Sequence, residues 1–197
     1  MNIPSHLERY SPDLNKPHKD EKQTADAISI RPARLYADHG IDLQLGRRVA
    51  AIDRERRRVL LDDGRALPYA GLALCTGASV RRLSLPGAAL DGVHYLRTID
   101  DVLGIQARAR AGGKAVVVGG GYLGLEAAAA LRQLGMAVTV LEACDRLLAR
   151  VTAPAVSAFY QRLHESEGVV VRTGVRLLGF EGDTRAEAVA CEDGLFA

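Results

Sequence analysis

Between residues 114 and 142 the chain reads KAVVVGGGYLGLEAAAALRQLGMAVTVLE, two short apolar runs separated by a longer stretch of helical character. The run 115–118 is β-branched and unbroken by polar positions, which predicts a strand buried on both faces of a parallel sheet. An Ala-rich segment over 122–134 predicts a helix, with Gly135 placed to stop it. Residues 137–141 then predict a second buried strand that ends at Glu142.

Elsewhere the runs are shorter and more mixed. Residues 1–26 are polar and aperiodic and read as loop or disordered chain. A short helix is predicted over 31–39, led by Pro32 and closed by Gly40. The alternation of 41–45 (IDLQL) predicts a half-buried strand, followed by strands over 47–53 and 57–62 and a tight turn at Asp63-Gly64. The apolar run 71–75 (GLALC) predicts another strand, broken at Thr76-Gly77. A loop over 78–92 with a turn at Pro86-Gly87, an extended stretch over 93–98 and a helix over 100–111 lead into the central segment. Beyond Glu142, a loop (CDRLLARV) precedes a helix expected to be capped by Thr152, with Pro154 in its first turn and Val156, Phe159, Tyr160 and Leu163 as its buried stripe. Gly168 ends that helix, 169–172 predicts a third parallel strand, and 175–181 with 186–191 predict a hairpin around Gly182-Asp183.

Composition narrows the functional classes. A net charge of +2, with acids and bases interspersed, gives no footprint for nucleic acid or a membrane surface. The three cysteines, Cys75, Cys144 and Cys191, are far apart and form no C-x-x-C pair, which argues against a disulfide framework, a structural zinc or a redox-active dithiol. No signal peptide and no apolar run approaching 18 residues is visible, so a cytoplasmic location is expected.

The chemistry lies in the glycines. Gly119, Gly121 and Gly124 stand at G-x-G-x-x-G spacing between the first strand and the helix. Gly119 suits a tight turn off the strand, and Gly121 lets a pyrophosphate approach the backbone and the free N–H groups of the helix start. Gly124 lets the helix lie close to the strand. Glu142, 18 residues beyond Gly124, is placed to accept hydrogen bonds from adenosine ribose hydroxyls and to repel a phosphate there, which favours NAD over NADP. The residues expected to line the dinucleotide are therefore Gly119, Gly120, Gly121, Tyr122, Leu123, Gly124 and Glu142. The plain alternative is tight helix–sheet packing with no ligand.

Two stretches share one layout: 40–64 and 168–194 each run glycine, strand, glycine six residues later, strand, strand, and an acid-Asp-Gly turn. Two copies of one supersecondary unit are expected. Gly168 follows Gly119 by 49 residues, and the same count back from Gly40 falls before Met1. The first copy thus lacks its own strand–glycine loop–helix, the second lacks a counterpart of the 71–77 strand, and the chain is expected to be cut at both ends.

With these motifs in place the chain resembles the FAD- and NAD(P)-dependent pyridine nucleotide-disulfide oxidoreductase superfamily, nearest its ferredoxin and rubredoxin reductase branch. The resemblance is carried by RPARLYADHGIDLQLGRRVAAIDRERRRVLLDDGRALPYAGLALCTGA, LPGAALDGVHYLRTIDD, VVVGGGYLGLEAAAALRQLG and TVLEACDRLLARV. It implies an α/β, Rossmann-like FAD/NAD(P)-binding fold, with a parallel sheet, helices and a three-stranded antiparallel β-meander in two nested domains, both incomplete here. The corresponding domains would be a partial FAD-binding domain over 1–110 and an NAD-binding domain over 111–197. Hydride would pass from NADH to FAD, and electrons would leave for an iron–sulfur ferredoxin or a rubredoxin. The resemblance implies that Lys16, in the segment PDLNK, lies beside the flavin with Glu126 as its ion-pair partner. It implies that the Val49 backbone meets the FAD adenine, that Arg97 reaches the flavin cofactor, and that Thr76-Gly77 passes close to FAD.

The family's FAD phosphate loop, later Gly-Asp flavin motif and interface domain have no match, and the missing cysteine pair argues against the disulfide-reducing branch. A free-standing NAD-binding module and an inactive remnant without flavin are the alternative readings. Without its parallel sheet, the 1–110 region is expected to be less stable than 112–180.

Overall fold

The computed structural model describes residues 31–197, which fall into two compact units divided between residues 78 and 79. The segment 1–26 and Lys16 lie outside the described residues.

The first unit holds α1 (Ala33–Asp38) and a meander of β1 (Val49–Asp53), β2 (Arg58–Leu61) and β3 (Ala66–Pro68), paired antiparallel in the order β1-β2-β3. The Asp63-Gly64 turn joins β2 to β3, with Gly64 at φ 84°. The expected strands over 41–45 and 71–75 do not form: no described strand runs beside either segment. Alternation alone does not make a strand, because each backbone N–H and C=O needs a neighbouring chain to bond. Their apolar side chains stand in solvent accordingly, Leu45 at 77% exposure and Leu74 at 67%.

The second unit contains α2 (Ile99–Gln106), β4 (Lys114–Val118), α3 (Tyr122–Gln133), β5 (Ala137–Glu142), α4 (Pro154–Ser166), β6 (Val170–Thr173) and a second meander, β7 (Leu177–Glu181), β8 (Ala188–Cys191) and β9 (Gly194–Phe196). Strands β4, β5 and β6 pair in parallel in that order. The alternation of β5 divides the core. Val138 and Val140 pack with Leu125 and Ala128 of α3, whereas Leu141 joins Val175, Val189 and Cys191 beneath the meander.

The expected extended stretch 93–98 joins no sheet, and the expected helix over 100–111 is α2, which starts one residue earlier and stops at Gln106. Its start is a capping box: the Asp101 N–H donates to Thr98 Oγ1 at 3.3 Å and the Thr98 N–H to Asp101 Oδ2 at 2.7 Å. Arg108, beyond its end, instead makes a two-pronged ion pair with Asp91 at 2.7 and 2.9 Å.

Two expectations for α4 are corrected. Thr152 does not cap it; the N-cap is Ala153, and Thr152 Oγ1 donates to the Leu148 carbonyl at 3.2 Å. The expected inward stripe holds in part: Tyr160 packs against the core and Leu163 is half-buried, but Val156 and Phe159 are exposed, at 40% and 50%, while Ser157 and His164 are buried. Ser157 goes inside because its hydroxyl accepts a hydrogen bond from Arg146 there.

The two meanders repeat each other in detail. Gly40 and Gly46 in the first copy, and Gly168 and Gly174 in the second, all adopt positive φ. Each copy slips register at the same place, between Val49 and Ala51 and between Leu177 and Gly179.

Candidate functional site

The pairing of β4 with β5 builds the site. Val118 lies opposite Leu141, so the two strands finish side by side and the glycine turn leaving β4 comes against Glu142 at the end of β5. The Gly119 N–H donates to the Leu141 carbonyl at 2.8 Å, extending the ladder into the turn. The Gly120 N–H donates to Glu142 Oε2 at 2.6 Å, and the Cys144 N–H donates to Glu142 Oε1 at 2.8 Å. A carboxylate offers about four acceptor positions; these two N–H groups and the Cys144 thiol leave room on it for a further donor.

These bonds set the charge on Glu142. Its partial burial works against ionisation, but the N–H groups of Cys144 and Gly120 outweigh that and hold the carboxyl below the usual glutamate range, with Arg150 assisting. The same carboxylate, hydrogen-bonded to the Cys144 thiol, pushes that thiol upward, and burial adds to the effect.

The three glycines of the motif have different structural duties. Gly119 turns at φ 111°, a conformation that L-residues avoid. A Cβ built on Gly124 would collide with the Gly119 carbonyl oxygen, so α3 approaches the turn too closely for any side chain. At Gly121, the N-cap of α3, a Cβ would meet nothing within 4 Å. Gly121 thus borders open space at the positive end of a helix, where the first-turn N–H groups of Tyr122 and Leu123 have no helical carbonyl to bond. A glycine that packing does not require, beside unbonded N–H groups, fits a pyrophosphate.

The turn and Glu142 open on a cleft of about 440 Å³ outside the carboxyl ends of β4 and β5. Gly119, Gly120, Gly121, Tyr122 and Glu142 line one part of it, and Cys144, Arg150 and Val151 another. Val175, Leu177 and Cys191, from the second meander, complete its apolar side. An adenosine with its diphosphate matches this pattern of ribose acceptor, anion donors and apolar wall.

The structure therefore brings Gly119, Gly120, Gly121, Tyr122, Gly124 and Glu142 together. Leu123, also in the first turn of α3, is 49% exposed. Glu126 is half-buried one turn further along α3. Arg97 is exposed, and its N–H donates to Asp101 Oδ2 at 2.9 Å at the start of α2. Val49, Thr76 and Gly77 belong to the first unit: Val49 opens β1 and is exposed, and Thr76 and Gly77 stand on exposed backbone with Gly77 at φ 71°. Among the described residues, no second strand–glycine turn–helix accompanies them, so the anion donors that a flavin dinucleotide needs are not found in residues 31–78.

The sequence reading missed the 143–153 segment as a wall of the cleft. The signal was present in Leu147 and Leu148, two adjacent apolar residues that a solvated loop does not require, and both are buried.

Comparison with known proteins agrees with this geometry. The pattern of the pyridine nucleotide-disulphide oxidoreductase family matches residues 11–195. Putidaredoxin reductase of Pseudomonas putida is 44% identical over 198 residues, covering 98% of this chain and 46% of that protein. Rubredoxin-NAD(+) reductase of Pseudomonas putida is 36% identical over 171 residues, covering 87% of this chain and 44% of that protein. Among solved structures, the reductase in a covalent putidaredoxin reductase–putidaredoxin complex superposes with a TM-score of 0.77 at 44% identity, covering 88% of this chain and 43% of that one. The chain spans a little under half the length of these relatives. On its motif, its fold and these matches, the chain belongs to the pyridine nucleotide-disulphide oxidoreductase family.

Proposed function

We propose that residues 111–197 form the NADH-binding part of an FAD-dependent reductase that passes electrons to an iron–sulfur ferredoxin or a rubredoxin. The observation that carries the reading is Glu142 bridged to Gly120 beside the open N-cap at Gly121. In this reading Gly121, Tyr122 and Leu123 offer backbone N–H groups to the pyrophosphate, and Glu142 accepts from the adenosine ribose hydroxyls. The anionic carboxylate disfavours a 2′-phosphate, so NADH is preferred to NADPH. NADH, when bound, supplies a hydride to a flavin; the protein's part is to place the nicotinamide and exclude water.

Family resemblance assigns the flavin contacts to Val49, Thr76, Gly77 and Arg97, and pairs Lys16 with Glu126 beside it. Electron transfer, the partner and a cytoplasmic setting are proposed for the whole protein on the same ground. Among the described residues, no helix is long and apolar enough to cross a membrane.

Thermal melts of the purified chain with each nucleotide test the reading. Saturation at 100 times Kd stabilises by about 2.7 kcal/mol, which raises Tm by about 5–11 °C for a chain of this size. NADH is expected to give such a shift and NADPH a smaller one. A chain that melts unchanged with NADH would sink the proposal. A colourless chain that responds to NADH but not to FAD would instead be a free-standing NAD-binding module.

A further inference from the structure

We propose that Arg146 is a positioning residue for the dinucleotide turn, clamping a strained loop so that Leu148 fixes the Gly120 peptide beside Glu142. The inference rests on the NADH reading of the cleft and goes beyond it by naming what holds the turn in shape.

Arg146 is half-buried just past β5 and reaches three acceptors on two segments. One guanidinium nitrogen donates to the Thr152 carbonyl at 2.9 Å and to Ser157 Oγ at 2.8 Å, and the other donates to the Ala149 carbonyl at 2.8 Å. Ser157, at 2% exposure on α4, anchors this clamp in the interior. Thr152 Oγ1 lies 3.3 Å from Ser157 Oγ and donates to the Leu148 carbonyl, so the start of α4 and the loop are stitched together.

Inside the clamp is a strained residue. Leu148 has φ 54°, in the left-handed region that a leucine avoids. Such a conformation persists where its surroundings over-determine it. Here the Leu148 carbonyl also accepts from the N–H groups of Val151 and Thr152, at 3.0 and 3.1 Å, and the side chains of Leu147 and Leu148 are buried.

The strained residue does one further thing: its N–H donates to the Gly120 carbonyl at 3.0 Å. Gly120 is therefore held from both sides, its N–H by Glu142 and its carbonyl by Leu148. Because a trans peptide is planar, fixing the Gly120 carbonyl also fixes the direction of the Gly121 N–H. Leu147 lies against Gly120, where an added Cβ would collide with it. Arg146 does not line the cleft; it acts on the turn through Leu148. The requirement is for a planar fork with several donors, which a lysine ammonium does not provide.

The test uses the full 197-residue chain as wild type, Arg146→Lys, Arg146→Ala and, as a destabilised control, Val169→Ala in the buried core. In ligand-free protein, amide exchange of Gly120 and Leu148 is followed by NMR beside that of Val140 in β5, and NADH binding is measured by calorimetry. Arg146→Lys is expected to speed exchange at Gly120 and Leu148 at least tenfold with Val140 unchanged, and to weaken NADH at least tenfold. Arg146→Ala is expected to do at least as much. Val169→Ala is expected to lower Tm while leaving NADH affinity within twofold. Retained protection in Arg146→Lys overturns the proposal whether or not affinity falls, as does an equal affinity loss in Val169→Ala. If the wild type itself fails to bind NADH, the cofactor reading falls, and the exchange data still decide whether Arg146 holds the turn.

Discussion

Gly121 has φ −81° and ψ 179°, a conformation open to any L-residue, and a Cβ built on it meets no protein atom within 4 Å. Gly124 differs: its added Cβ would run into the Gly119 carbonyl oxygen and lie 3.5 Å from Val117 Cγ1. A pair of alanine substitutions therefore separates packing from ligand binding. In Gly121→Ala, alanine is a poorer N-cap than glycine by about 0.5–1 kcal/mol. The stiffer unfolded chain offsets about 0.4–1 kcal/mol of that. Tm is expected to stay within about 2 °C of wild type. In Gly124→Ala a backbone oxygen must move, and overpacking of this kind costs about 1–3 kcal/mol, a fall of about 2–12 °C. For NADH the order reverses. The added methyl at 121 stands where the pyrophosphate meets the helix start, and losing a charge-assisted hydrogen bond there costs about 1.5–3 kcal/mol. That weakens Kd roughly 10- to 150-fold. Calorimetric titration with NADH and a thermal melt of each variant measure both quantities. Unchanged NADH affinity in Gly121→Ala would refute the placement of the pyrophosphate, and a Tm loss there matching that of Gly124→Ala would refute the claim of open space.

Other consequences concern charge and local stability. Glu142 titrates below the ordinary glutamate value in the folded chain, so its contribution to stability is complete above about pH 4.3 and is lost as pH falls through the folded value; Glu142→Gln should flatten the acid side of a Tm–pH curve. The same variant should narrow the preference for NADH over NADPH in parallel titrations, since the repelling charge is gone. Burial lowers the His164 pKa, so the unfolded chain takes up this proton first and stability falls as pH drops below about 6.5; urea melts between pH 7 and 5 should show a smaller slope for His164→Gln. In hydrogen exchange, amides of β4 and β5 should outlast those of β1, β2 and β3, because the buried apolar clusters lie among residues 125–191 while Leu61 is the buried apolar residue recorded in the first unit. Slower exchange in the first meander would overturn that ranking.

The strand–glycine turn–helix–strand from Lys114 to Glu142 was legible in the sequence because its determinants are local. β-branched runs, glycines at fixed offsets and an Ala-rich helix each favour the conformation they adopt, and the spacing alone carries Glu142 to the end of the second strand. The repeated meander was legible for the same reason, through glycines that need positive φ. What the tertiary structure decided was partnership. Residues 41–45 and 71–75 have strand-like patterns but lie beside no described strand. The face of α4 turned with the position of the Arg146 guanidinium, which carried Ser157 inward and left Phe159 outside. The cleft wall at Leu148 depends on a left-handed leucine that no local preference would choose. Local preference sets φ and ψ one residue at a time. Pairing, burial of a polar group and a strained turn are stabilised by atoms distant in sequence, and only the folded chain brings those atoms into reach.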